Sequence, residues 1–145
     1  MKTVSIIGQS IYNEEICQIA ETTGEIMAQK GYAVTTGGLS GVMEYALKGA
    51  KNYNGITIGI IPSYNKNDAN KYCDIIIPTG LNHARNILVV SSGDIVISIG
   101  GEFGTVSEIA IALKMNKPLY SYKSPFDHKN NFLDKYQFLQ TIRAL

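Results

Sequence analysis

Short runs of apolar, mostly β-branched residues recur along this chain, each separated from the next by a loop or a stretch of helical length. Val4 to Ile7, Ala33 to Thr36, Ile56 to Ile61, Asp74 to Ile77, Asp94 to Ile99 and Pro118 to Tyr122 read as strands. Several are apolar at consecutive rather than alternate positions, which suits a strand covered on both faces. Between them, Asn13 reads as an N-cap, with Glu14 and Glu15 well placed for the helix dipole. Ile16, Ala20, Thr23 and Met27 follow at helical spacing, and Gly31 stops the helix. Val42 to Tyr53, Asn82 to Ser92, Thr105 to Met115 and Phe132 to Leu145 predict four more helices. The order β-α-β-α-β-β-α-β-α-β-α predicts a single α/β domain over residues 1–145, a doubly wound, mostly parallel sheet with helices on both faces. The most polar stretch, Ser63 to Lys71, reads as a loop within that domain.

Composition removes several classes of function. The chain has 145 residues, enough to bury a core without disulfide or metal staples. Thirteen basic and twelve acidic side chains leave a net charge of +1, so no global field attracts nucleic acid or anionic lipid. Cys17 and Cys73 lack metal-ligand spacing, sit among apolar neighbours and read as buried free thiols. The first residues run directly into a strand pattern too short for a signal-peptide core, and no later stretch approaches ~20 consecutive apolar residues. The expectation is a cytoplasmic protein that binds neither nucleic acid nor membrane.

The unusual residues collect where strands end. Gly8-Gln9-Ser10 closes the first strand, Gly37-Gly38-Leu39-Ser40-Gly41 the second, and Gly100-Gly101-Glu102-Phe103-Gly104-Thr105 the fifth. The last two share a Gly-Gly-x-x-Gly pattern between a strand and a helix. Glycine lets a ligand approach the backbone, and the following helix presents free N–H groups and a positive dipole end. Together these predict an anion site, most naturally for a phosphate. Tight turns alone would also use such glycines, but two equivalent patterns and a third glycine turn favour a ligand. The commonest nucleotide sites are absent. No Gly-x-Gly-x-x-Gly follows the first strand, Thr35-Thr36 ends the second without an acidic residue, and there is no P-loop. A mononucleotide-sized ligand fits better than a dinucleotide.

Two charged residues stand out. Glu108 lies three residues after Thr105, so it either completes a capping box with Thr105 or faces a ligand, and spacing leaves both open. Arg85 falls in the first turn of the helix beginning near Asn82, where a cation opposes the helix dipole. A partner carboxylate or a bound anion would compensate it, and Glu108 on an adjacent loop is a candidate partner. His83 reads as a cap or packing residue and Asp94 as a turn residue.

These residues resemble a known family. Gly37-Gly38-Leu39-Ser40-Gly41-Val42-Met43, Ile77-Pro78-Thr79-Gly80-Leu81-Asn82-His83-Ala84-Arg85-Asn86 and Gly100-Gly101-Glu102-Phe103-Gly104-Thr105-Val106-Ser107-Glu108 are similar to the LOG-like, Rossmann-like proteins. That group is often mislabelled lysine decarboxylase. It contains cytokinin-activating phosphoribohydrolases and is related to the molybdenum cofactor carrier proteins. The similarity runs to about Tyr122 and is nearest to the short branch of the group. The hydrolases read P-G-G-x-G-T-x-x-E with an arginine-lysine pair on the preceding helix. Here Gly100 stands for the proline, Glu102 for the second glycine and Asn86 for the lysine, whereas Arg85 and Glu108 match.

The resemblance implies hydrolysis of the N-glycosidic bond of a nucleoside 5′-monophosphate, giving base and ribose 5-phosphate. Arg85 and Glu108 would be catalytic. Gly8, Gln9, Ser10, Gly37, Gly38, Gly41, Val42, Met43, Gly100, Gly101, Phe103, Gly104 and Thr105 would hold substrate and phosphate. The backbone from Gly101 to Thr105 would bind the phosphate, and Glu108 would stabilise positive charge at the anomeric carbon. Neither metal nor cofactor is called for. A non-catalytic carrier of a phosphorylated ligand such as the molybdenum cofactor is the alternative, favoured by Gly100 and Glu102, and a nucleotide sensor is a third. Decarboxylation of lysine is not expected, because no lysine lies in a glycine-rich phosphate loop at a strand end. The resemblance also implies a homodimer, and the aromatic residues Tyr120, Tyr122, Phe126, Phe132, Tyr136 and Phe138 fit either an interface or ordinary core packing.

Overall fold

On the first strand, side chains alternate between two interiors, and that alternation organises the molecule. The computed structural model describes residues 1–145. Its strands are β1 (Thr3–Gly8), β2 (Ala33–Thr36), β3 (Thr57–Ile61), β4 (Ile75–Pro78), β5 (Ile95–Ile99), β6 (Leu119–Tyr122) and β7 (Asn131–Phe132). Its helices are α1 (Glu14–Gln29), α2 (Val42–Asn52), α3 (Arg85–Ser92), α4 (Phe103–Lys114) and α5 (Lys135–Arg143). Val4 and Ile6 of β1 join Val34, Ile97 and Ile99 beneath α1, α2 and α5. Ile7 joins Ile60, Val96 and Leu119 beneath α3 and α4. Both faces of the central strands are therefore covered, which is why their sequences are apolar at successive positions.

All seven strands are parallel, in the order β4-β3-β2-β1-β5-β6-β7. The chain builds outward from β1 to β4, returns to the centre and builds outward again from β5. The doubly wound α/β expectation holds, with a sheet that is parallel throughout. No helix is long and apolar enough to cross a membrane.

Three helix starts differ from the sequence reading. Asn82 to Ala84 forms a 3-10 turn, so the α-helix itself begins at Arg85. The fifth strand's helix begins at Phe103 rather than Thr105, with Glu102 at the N-cap position and no side-chain cap. The last helix begins at Lys135 rather than Phe132, because Asp134 caps it by accepting from Tyr136 N at 2.7 Å and Gln137 N at 3.3 Å. Phe132 instead belongs to β7. That short strand is held by polar side chains: Asn130 Nδ2 donates to Leu119 O at 3.1 Å, and Asn130 N donates to His128 Nδ1 at 3.3 Å. His128 Nε2 lies 2.7 Å from the buried Ser121 Oγ, which also bonds Ser98. Among the aromatic residues, Tyr122 and Phe138 are buried and Phe132 packs on Phe138, which is core packing, while Phe126 and Tyr136 are exposed.

Helices α1 and α2 meet backbone to backbone. A Cβ on Gly24 would lie 2.0 Å from Ala46 O, and one on Gly49 would lie 1.9 Å from Glu21 O. In an exposed helix, Gly→Ala gains about 1 kcal/mol from propensity. Here the added methyl has no room, and overpacking costs about 1–3 kcal/mol or more. Gly24→Ala is therefore expected to lower stability in urea unfolding by roughly 2 kcal/mol. An unchanged or raised midpoint would show that these helices do not meet as described.

Candidate functional site

The order in which strands are added reverses between β1 and β5, where connections diverge to opposite sides and leave a crevice. Three loops converge over it. Gln9 joins them: its carbonyl accepts from Val42 N at 2.9 Å, and its Oε1 accepts from Gly101 N at 3.4 Å. Ser40 Oγ donates to Ser10 O at 2.8 Å, which ties the first loop to the second. From the other side, Asn70 N and Nδ2 donate to Gly38 O and Leu39 O, each at 2.8 Å. The polar 63–71 loop thus anchors the second glycine loop.

An open cavity of about 270 Å³ lies beneath these loops. Gly8, Gln9 and Ser10 line it from β1, Gly37 and Met43 from the β2 loop and α2, Arg85 from α3, and Gly104, Thr105 and Glu108 from α4. These nine were expected. Gly38, Gly41, Val42, Gly100, Gly101 and Phe103 are not part of the lining. Gly38, Gly41, Gly100 and Gly101 have positive φ and shape the turns, Val42 is fully buried, and Phe103 is 93% exposed. Ile7, Leu39, His83, Asn86 and Glu102 line the cavity as well. His83 and Asn86 flank Arg85 in sequence, but neither carries a spacing signal of its own.

The two readings of Glu108 now separate. Thr105 lies inside α4 and Glu102 holds the N-cap position, so Glu108 completes no capping box. It stands in the second turn of the helix with only 8% of its surface exposed. The N–H groups of Phe103, Gly104 and Thr105 have no partner within the protein. They form the positive end of α4 at the cavity, as an anion site requires.

Arg85 is equally buried, at 8% exposure. Its Nη1 donates to Asn86 Oδ1, while its Nε is buried without a partner. Asn86 Nδ2 donates to Ser107 Oγ at 3.3 Å, and Ser107 Oγ donates to Gly104 O at 2.6 Å. This chain of bonds fixes the arginine against the first turn of α4. The second loop leaves space for it, since a Cβ on Gly37 would lie 2.9 Å from Arg85 Nη2.

Arg85 and Glu108 influence each other without forming an ion pair. No salt bridge joins them, and the Glu108 carboxylate receives no hydrogen bond from the protein. Burial pushes the Glu108 carboxyl up to about 7, with the Arg85 charge opposing the rise. Burial likewise lowers the pKa of Arg85, with Glu108 opposing. A buried cation with unused donors, beside an acceptor with none, is an incomplete polar network. An anion that engages Arg85 and the α4 N–H groups would complete half of it, and a hydrogen-bond donor at Glu108 the other half.

Comparison with known proteins identifies the chain's relatives. The model of the SLOG cluster4 family matches residues 1–143. An uncharacterized protein of Archaeoglobus fulgidus is 46% identical over 122 residues, 84% of this chain and 80% of its own. The molybdenum cofactor binding protein of Rippkaea orientalis superposes with a TM-score of 0.82 at 35% identity, covering 99% of this chain and 86% of that one. The molybdenum cofactor carrier protein of Chlamydomonas reinhardtii superposes with a TM-score of 0.79 at 30% identity, with the same two coverages.

The raised Glu108 carboxyl has a consequence for stability. Pushed up to about 7, it lies above the ordinary carboxylate value of 4.5, so the folded state binds the extra proton between these values. Stability from this group is full below pH ~4.5 and falls as pH rises through about 7, by roughly 3 kcal/mol in all. Glu108→Gln, neutral at every pH, is expected to be the more stable protein at about pH 8, with the difference shrinking toward pH ~5. Parallel stability curves for the two proteins would contradict the burial of this carboxylate.

Proposed function

The chain belongs to the SLOG cluster4 family, and from that premise we propose that it binds and carries a small phosphorylated ligand, of the class of the molybdenum cofactor, without cleaving it. The observation that carries this reading is the pair of solved relatives at 35% and 30% identity, each spanning 99% of the chain and each named for that cofactor. The site's geometry supports it. A phosphate on the N–H groups of Phe103, Gly104 and Thr105 would meet the positive end of α4. Arg85 lines the same cavity with donors unused and would supply the compensating charge. The remainder of the ligand would extend past Gln9, Ser10 and Gly37. In the cofactor that remainder is a pterin.

Hydrolysis of a nucleoside monophosphate, placed first by the motifs, becomes the second reading. One observation favours it: Arg85 and Glu108, the two residues that match the hydrolases, both line the cavity. Glu108 would then stabilise positive charge at the anomeric carbon as the bond to the base breaks. The relatives named for binding or carrying the molybdenum cofactor favour retention of the ligand over its cleavage.

A second copy of the chain is proposed to cover the face formed by β4 and α3. Ile75 and Ile77 lie opposite Ile58 and Ile60 in register, on the α3 side of the sheet, yet are 48% and 43% exposed. Ile87 and Leu88 of α3 are exposed too. Sedimentation is expected to show a dimer, and Ile87→Asp a monomer. A monomeric parent protein would remove this proposal.

Carriage and hydrolysis are separated by one experiment. The protein is mixed with a pterin monophosphate or with nucleoside 5′-monophosphates, and thermal stability and released base are both measured. The expected result is stabilisation by the pterin phosphate, weakened tenfold or more (about 1.4 kcal/mol) in Arg85→Ala, with no base released. Base released by the parent protein and lost in Glu108→Ala would establish the hydrolase instead.

A further inference from the structure

Glu108 and Arg85 share one cavity, are both buried, and have no bond between them. We infer that anion binding here is coupled to protonation of Glu108, so that the site takes up its ligand together with a proton and releases it as pH rises. This rests on the reading that the cavity receives a phosphorylated ligand.

In the free protein, the field of Arg85 is what favours the ionised carboxylate against the cost of its burial. An anion seated on Arg85 and on the first turn of α4 cancels that field. It also sets a negative charge within a turn or so of the carboxylate. Both changes disfavour ionised Glu108, so the bound state holds its proton to higher pH than the free state. The carboxylate has no protein donor to offset this, because none bonds to it.

The other charged groups at the cavity are few. Arg85 faces Glu108 from α3, His83 from the preceding 3-10 turn, and Glu102 from the N-cap of α4. The lining from the β1 loop, the β2 loop and α2 is uncharged: Gly8, Gln9, Ser10, Gly37, Leu39 and Met43. Glu102 is exposed at the mouth and adds repulsion. His83 is exposed as well.

The sign follows from linkage. Affinity is full below the free-state value of about 7. It then falls with a limiting slope of one proton, about tenfold per pH unit, until the bound-state value is passed. A carrier built this way would hold its ligand at acidic to neutral pH and release it with mild alkalinity.

Inorganic sulfate is the probe, because its own charge is constant over the range. Its affinity is measured from about pH 6 to pH 9 through the amide resonances of Gly104 and Thr105, for the parent protein and Glu108→Gln. Calorimetry in buffers of different ionisation enthalpy counts protons taken up by the parent, which keeps the test independent of the variant's folding. The expected result is a fall approaching tenfold per unit above pH ~7 in the parent, about one proton taken up near pH 8, and no such fall in the variant. Equal slopes in the two proteins, no proton uptake, or no sulfate binding at any pH would overturn the proposal. Sulfate linkage without stabilisation by a pterin phosphate would leave it standing and remove the carrier reading alone.

Discussion

The reversal of strand order between β1 and β5 is the constraint on which the site depends. A parallel sheet needs a helix after each central strand, and with β2 and β5 flanking β1, those helices leave toward opposite faces. Helix α2 begins on one side of the crevice and α4 on the other, each preceded by a glycine loop. The loops are then joined by Gln9, whose side chain and carbonyl reach both. The cavity is the space those two departures leave open, and the free N–H groups of α4 face it because the helix begins there.

Arg85 turns that geometry into chemistry. A cation at the start of α3 works against the helix dipole, and burial adds a desolvation cost. The protein offsets this only in part, through Asn86 and the field of Glu108. An exposed arginine could have been solvated instead. One that is buried with its Nε unpartnered is poised for an anion. Glu108 is the counterpart, a carboxylate held near neutrality by burial and placed where it senses whether Arg85 is occupied.

Much of this was legible in the residues, for physical reasons that differ from place to place. The strands were visible because double-sided burial leaves consecutive apolar residues. Arg85 was visible because a cation at a helix start is electrostatically out of place. The start of α4 is hidden in sequence because Thr105 and Glu108 imitate a capping box, while the true N-cap residue, Glu102, makes no side-chain cap. β7 left no apolar pattern, being two residues held by His128 and Asn130 through hydrogen bonds that only the folded chain brings together. The close crossing of α1 and α2 was likewise hidden, since Gly24 and Gly49 give no sign in sequence that they face each other. In sequence Asn86 stands only where the hydrolases have lysine. Its bond to Arg85 and its link to Ser107 depend on how α3 packs beside α4.

The proposed carrier role is retention of a phosphorylated pterin, intact, in this cavity. It is tested most directly by isolating the protein from cells that synthesise the molybdenum cofactor and analysing what leaves with it. Pterin fluorescence after oxidation and elemental analysis for molybdenum give the amount, with Arg85→Ala prepared in parallel. Retention approaching one pterin per chain, lost in the variant, is the result predicted for a carrier. An empty protein from such cells, together with free base accumulating from nucleoside monophosphates, would contradict carriage and make the site a hydrolase.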